Sequence, residues 1–235
     1  MSYLILFDID GTLLRCGPRL REIFEGALAD VRMPAVGVPG YDFAGKIDPV
    51  IVRDLGRAAG WTLERSVAAI PEVRSAWVRR LEAELAADEI EIMPGVSTLL
   101  ERLAARPDVE LGLLTGNWQA GAAVKLRRAG LDHHFAFGAF GDDGEHRRDL
   151  PPVALARAAE IHRREYEADC VWIVGDTVHD VDCARANGLP CLGVATGGST
   201  VERLRQAGAV QALEDFTHLA ADWPFASASV NGWKT

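Results

Sequence analysis

Two aspartates one residue apart, Asp8 and Asp10, follow directly on the apolar run Tyr3–Phe7, and Gly11 and Thr12 come next. Two more, Asp176 and Asp180, stand behind a second apolar run at 170–174. Thr115-Gly116-Asn117 follows a third at 110–114, and Thr196-Gly197-Gly198 a fourth at 191–195. Like charges about 4 Å apart repel by roughly 4 kcal/mol at an effective dielectric near 20. If the four carboxylates meet, protons or a cation must be present. Hard oxygen donors suit Mg²⁺, which takes few protein ligands and keeps waters and phosphate oxygens around it. Any single Asp here could be a helix cap or a solvated loop residue. Four of them at matching strand ends point instead to phosphoryl chemistry.

The elements that must position these groups are legible as alternation. Five apolar segments (3–7, 110–114, 135–140, 170–174 and 191–195) have the length of buried strands. Amphipathic stretches at 94–106, 118–129, 151–164, 178–187 and 199–207 separate most of them. Strands alternating with helices predict a parallel α/β sheet covered on both faces, with functional groups beyond the carboxyl ends of the strands. Residues 15–90 break the alternation. They show no convincing strand and helical patterns near 19–31, 49–59 and 63–86, so they read as a helical insert between linkers near 13–18 and 87–93. The expected division is a core of residues 1–14 and 91–222, a helical domain of 15–90, and a loosely packed tail from 223 to 235.

The net charge of −9 over 235 residues disfavours nucleic acid and anionic membrane as partners. A phosphate-handling site in so acidic a chain needs local positive charge. No apolar run is long enough to span a bilayer, and Cys16, Cys170, Cys183 and Cys191 form no CxxC pair, so reduced thiols in a cytoplasmic protein are expected. Of 25 basic residues only Lys46, Lys125 and Lys234 are lysine. A sequence that otherwise writes Arg marks Lys46 and Lys125 as places where a compact ammonium is wanted.

Asp8-Ile9-Asp10-Gly11-Thr12 after an apolar strand resembles the first motif of the haloacid dehalogenase-like hydrolase superfamily. Leu113-Leu114-Thr115-Gly116-Asn117 resembles its second, and Gly175-Asp176-Thr177-Val178-His179-Asp180 its fourth. The helical insert resembles the superfamily's C1 cap, and Gly45-Lys46-Ile47-Asp48-Pro49 is similar to a cap segment of its phosphoglycolate phosphatase-like members. The resemblance implies a Rossmann-like parallel core with an inserted α-helical cap, acting as a Mg²⁺-dependent phosphatase on a small phosphorylated metabolite, as a monomer or homodimer. It implies Asp8 as nucleophile and metal ligand, with Asp10 as general acid/base and metal ligand through its backbone carbonyl. Thr115 would donate to the phosphoryl group with Gly116 and Asn117. Asp176 would ligate the metal, and Asp180 would ligate it or orient its waters. Lys46 would meet an anionic substrate group. The second Asp separates this branch from the dehalogenases, because an alkoxide leaving group needs a proton and a halide does not.

The superfamily's third motif supplies a cation bridging the nucleophile and the phosphate. Two positions offer it: Lys125, about 10 Å along a helix that starts at Trp118, and Arg147 or Arg148, ahead of Pro151. Lys125 is preferred. His133, His134 and His179 read as turn or rim residues, and 141–145 as a surface turn in which Asp142 or Asp143 could approach a metal. Phosphonatase, sugar phosphomutase and a non-catalytic metal-binding sensor are the competing functions.

Overall fold

The computed structural model of this chain describes residues 2–224. The chain opens with β1 (Tyr3–Phe7) and passes through the two-residue strand β2 (Leu14–Arg15) into four helices, α1 (Arg19–Asp30), α2 (Asp48–Ala58), α3 (Leu63–Ala68) and α4 (Ile70–Glu84). It returns by β3 (Glu91–Ile92). Then follow α5 (Val96–Ala104), β4 (Val109–Leu114), α6 (Gln119–Ala129), β5 (Gly138–Ala139), α7 (Leu150–His162), β6 (Val171–Gly175), α8 (Val178–Ala186), β7 (Cys191–Val194), α9 (Val201–Ala207) and β8 (Gln211–Leu213).

Six strands form one parallel sheet in the order β5-β4-β1-β6-β7-β8. Successive strands step outward from β1 on one side, then cross to the other side at β6. β1 therefore lies at the point where the winding reverses, the place where an open α/β sheet leaves a crevice at its carboxyl edge. Its residues Leu4 to Phe7 are fully buried, as a central strand covered on both faces requires.

The sheet differs from the sequence reading in two ways. The fourth-quarter segment 211–213 adds an edge strand that is too short and too mixed in polarity to signal itself. The expected strand at 135–140 pairs only at Gly138 and Ala139, where an added Cβ on Gly138 would lie 2.6 Å from the Leu113 side chain.

The helix expected over 63–86 is two helices that meet at Ala69. Thr62 caps α3 by accepting from the Arg65 N–H, and Pro71 sits in the first turn of α4. Proline has no N–H to donate and is accommodated only in a first turn, so the chain restarts there. Where strands were not expected, Leu14 and Arg15 pair antiparallel with Ile92 and Glu91, joining the two ends of the helical segment side by side.

The helical segment is not a separate oil drop. Phe24, Leu28, Val73 and Trp77 belong to the same buried cluster as Phe7, Trp118, Ala122 and Trp172. Ion pairs add to this: α4 is tied to α6 by Glu82–Arg127 at 2.6 Å. Trp223 is buried and packs edge-on against Trp172, with ring centroids 5.4 Å apart. The looseness expected from residue 223 onward thus does not hold for Trp223, and Trp233 lies outside the described residues.

Candidate active site

The register of the central strands brings the motif residues to one level. Phe7 is aligned with Leu113 on one side and Val174 on the other, so Asp8, Thr115 and Asp176 all emerge just past the carboxyl edge. The Asp8 N–H donates to Val174 O at 2.9 Å, which continues the ladder one step and fixes where its side chain starts. The carboxylates of Asp8, Asp176 and Asp180 are buried and lie within 4.8 Å of one another. Asp180 also holds the start of α8: its Oδ2 accepts from the Thr177 N–H at 3.0 Å and from Thr177 Oγ1 at 2.6 Å. Asp176 accepts from Thr12 Oγ1 at 3.1 Å. Backbone closes around it, for an added Cβ on Gly197 would fall 1.6 Å from its Oδ2 and one on Gly11 2.6 Å away. Thr196 Oγ1 donates to Gly11 O at 2.6 Å. The Thr196-Gly197-Gly198 loop thus braces the first aspartate loop and its Asp176 neighbour.

The two cation positions weighed from the sequence divide the site between them. Arg147 is buried; one terminal nitrogen donates to Asp180 Oδ1 and forms an ion pair with Asp8 Oδ1 at 3.1 Å. Lys125 is 2% exposed and contacts Asp10, not Asp8: its Nζ lies 2.8 and 2.7 Å from the two Asp10 carboxylate oxygens and 2.7 Å from Asn117 Oδ1. The Asn117 amide donates to Asp10 Oδ2 and to Thr115 Oγ1, each at 2.8 Å. A helix rising from Gln119 puts Lys125 about 9 Å along its axis, and its stem leans back to cover that distance. Arg148 is exposed and pairs with Asp182. Asp142 and Asp143 are taken up elsewhere, by Arg74 and the Gln119 N–H, and by Arg157.

Burial sets the electrostatics. It pushes the Asp176 carboxyl up to about 8, with Asp180 and Asp8 adding repulsion. It pushes Asp8 up to about 6, against the pull of Arg147. Arg147 is raised despite its own burial because Asp180 and Asp8 face it. Lys125 is likewise raised: burial works against its charge, and Asp10 overcomes that.

The helical segment roofs this floor through Gly45 to Asp48. The Asp48 N–H donates to Gly116 O at 2.8 Å, and its Oδ2 accepts the Trp118 N–H at 2.8 Å, at the start of α6. Burial, more than any neighbouring charge, lifts the Asp48 carboxyl to about 7. An added Cβ on Gly116 would lie 2.0 Å from Lys46 O, and one on Gly45 2.4 Å from the His179 ring. Lys46 lies over the Tyr41 ring and 3.4 Å from Asp54. A cavity of about 350 Å³ runs from Asp8, Asp10 and Thr115 up to Lys46, Asp48 and Arg21. Arg21 escaped the sequence reading, and Asp48 entered it only as part of the 45–49 segment, with no role of its own. A single charged residue on a helical segment carries no spacing signal.

A doubly wound sheet with buried carboxylates at its crossover point and a helical roof defines the class of Rossmann-like hydrolases with an inserted cap. The model of the haloacid dehalogenase-like hydrolases matches residues 4–188. The phosphoglycolate phosphatase of Rhodospirillum rubrum is 30% identical over 95% of this chain and 91% of its own length. That of Synechococcus elongatus is 28% identical over 82% and 84%. A hydrolase from Pseudomonas syringae superposes with a TM-score of 0.67 at 23% identity, covering 92% of this chain and 95% of that one. The chain belongs to the haloacid dehalogenase-like hydrolases, in their phosphoglycolate phosphatase-like branch, and is a phosphoric monoester hydrolase.

Proposed function

We propose that this chain hydrolyses the phosphate monoester of a small metabolite with Mg²⁺, using Asp8 as the nucleophile and Asp10 as the general acid and base. The observation that carries the reading is the meeting of Asp8, Asp10, Thr115, Lys125, Arg147 and Asp176 on one cavity.

The donor set fits a hard divalent ion. Of the three buried carboxylates Asp8, Asp176 and Asp180, Arg147 pairs with Asp8 and Asp180, so one guanidinium faces three acids and the charge left over is costly to bury. Asp8, Asp176 and the Asp10 carbonyl would hold Mg²⁺, with Asp180 beside them. When bound, the ion offsets the charge of the phosphate so that an anionic nucleophile can approach.

The side chains then divide the work. An Asp8 oxygen bonds to phosphorus as the ester P–O bond breaks, and the departing alkoxide takes a proton from Asp10. Asp10 then takes a proton from the water that attacks the aspartyl-phosphate, releasing phosphate and restoring Asp8. Lys125 and Asn117 hold the Asp10 carboxyl in one orientation. Thr115 Oγ1 and the N–H groups of Gly116 and Asn117 are the donors for phosphoryl oxygens. Lys46 faces the cavity as a candidate for an anionic substrate group.

The test is turnover of a phosphometabolite panel with Mg²⁺. Asp8→Asn should lose activity by at least about a thousandfold while remaining folded, as a melting curve would show. Undiminished hydrolysis by that variant would refute the nucleophile.

A further inference from the structure

The cavity above Asp8 has a second wall that phosphate chemistry does not use. The half-buried Phe43 lines it, together with the small exposed edges of Phe24, Ile51 and Trp77, each only 4–5% exposed. Three of the contacts around it are edge-on aromatic pairs: Phe24–Trp77 at 5.3 Å, Phe24–Phe43 at 5.7 Å and Tyr41–Phe43 at 5.0 Å between centroids. Cations rest on two of the rings, with Arg21 4.9 Å from the Phe43 centroid and Lys46 4.0 Å from that of Tyr41. The wall is thus an apolar panel with positive charge at its margin. It faces the carboxylate floor across a void of about 350 Å³, a volume in the range that holds a ligand with a ring-sized body. A two-carbon acid has no apolar surface to set against four such side chains. The panel's remaining exposed apolar surface stays in contact with water when such an acid is bound. Covered by a matching group, it favours binding in proportion to the area removed from water.

We propose that the physiological substrate is a phosphate monoester whose alcohol carries a ring-sized apolar body, seated on the Phe24–Phe43–Ile51–Trp77 panel while its phosphate meets Asp8. The proposal rests on the phosphatase reading and adds the substrate class to it.

The probes are three esters with alkoxide leaving groups: benzyl phosphate, ethyl phosphate and 2-phosphoglycolate, each assayed for kcat/KM with Mg²⁺. Benzyl phosphate should exceed both of the others by at least about tenfold. Two variants check the location. Phe43→Ala removes a half-buried part of the panel, and Ala44→Trp fills the void from an exposed position on its lining. Each should lower the ratio of benzyl to ethyl kcat/KM by about tenfold, with folding followed by melting temperature. A wild-type preference for the smaller esters, or a ratio that neither variant changes, overturns the subsite and leaves the phosphatase standing. No turnover of any ester overturns both.

Discussion

At the scale of single residues, Asp176 carries the sharpest consequence. Its folded value of about 8 lies above the ordinary 3.8 of an unfolded chain, so between those values the folded state binds the extra proton. In EDTA the stability of the protein should therefore fall as the pH rises from about 4 to about 8, and level off beyond. Asp176→Asn, which removes one of the repelling charges, should melt higher than wild type at pH 8.5 in EDTA, by about 2–4 °C for each kcal/mol relieved. Mg²⁺ should raise the wild-type melting temperature at that pH and leave the variant nearly unmoved. Thermal scans at two pH values, with and without the ion, decide it, and an Asp176→Asn that melts lower in EDTA would contradict the buried repulsion. The carboxylates themselves were legible because Asp8 and Asp176 follow apolar runs, with Asp10 and Asp180 close behind them. The division of the cations was not. Lys125 and Arg147 both reach the site, and which carboxylate each one meets depends on the path of the loop after β5 and on the rotation of α6, neither of which spacing encodes.

At the scale of elements, the junction between the helical roof and the sheet turns on close backbone approach. An added Cβ at Gly116 would sit 2.0 Å from Lys46 O, and both partners are main chain, so neither can swing aside. Gly116→Ala should push the Gly45–Asp48 segment away from the start of α6 and weaken the Asp48 bond to the Trp118 N–H. A displacement of about 1 Å there is expected to lower kcat/KM by about a hundredfold. Steady-state kinetics beside a melting curve would separate this from unfolding, and wild-type kinetics in the variant would show that the junction does not position substrate. Elements with strong period were readable: α5 with Val96, Leu99, Leu100 and Leu103 buried on one face, and β1 as a continuous apolar run. Elements without their own signal were not. The strand β8 owes its pairing to the edge offered by β7, and β2 and β3 exist only because the chain leaves and re-enters the core at one place. The break at Ala69 was visible in Pro71, whose effect the apolar spacing across 63–86 obscured.

At the scale of the whole molecule, roof and floor share one apolar interior. The buried cluster that holds Phe24, Val73 and Trp77 also holds Phe7, Trp118 and Trp172, and Arg74–Asp142 and Arg127–Glu82 cross the same boundary. Unfolding should therefore be a single transition, with tryptophan fluorescence and far-ultraviolet circular dichroism giving one denaturant midpoint. Two separated midpoints would mean that the helices melt on their own. The shared interior contrasts with the way the chain is threaded. Because Leu14 faces Ile92 and Arg15 faces Glu91, the roof hangs from the sheet by two adjacent strands of one ribbon, roughly 5 Å apart. A change in the length of the seventy-odd residues between those anchor points therefore need not move the ends of the core strands, provided the shared interior stays covered. Such a suspension lets the choice of ester drift while the machinery that cleaves it stays put.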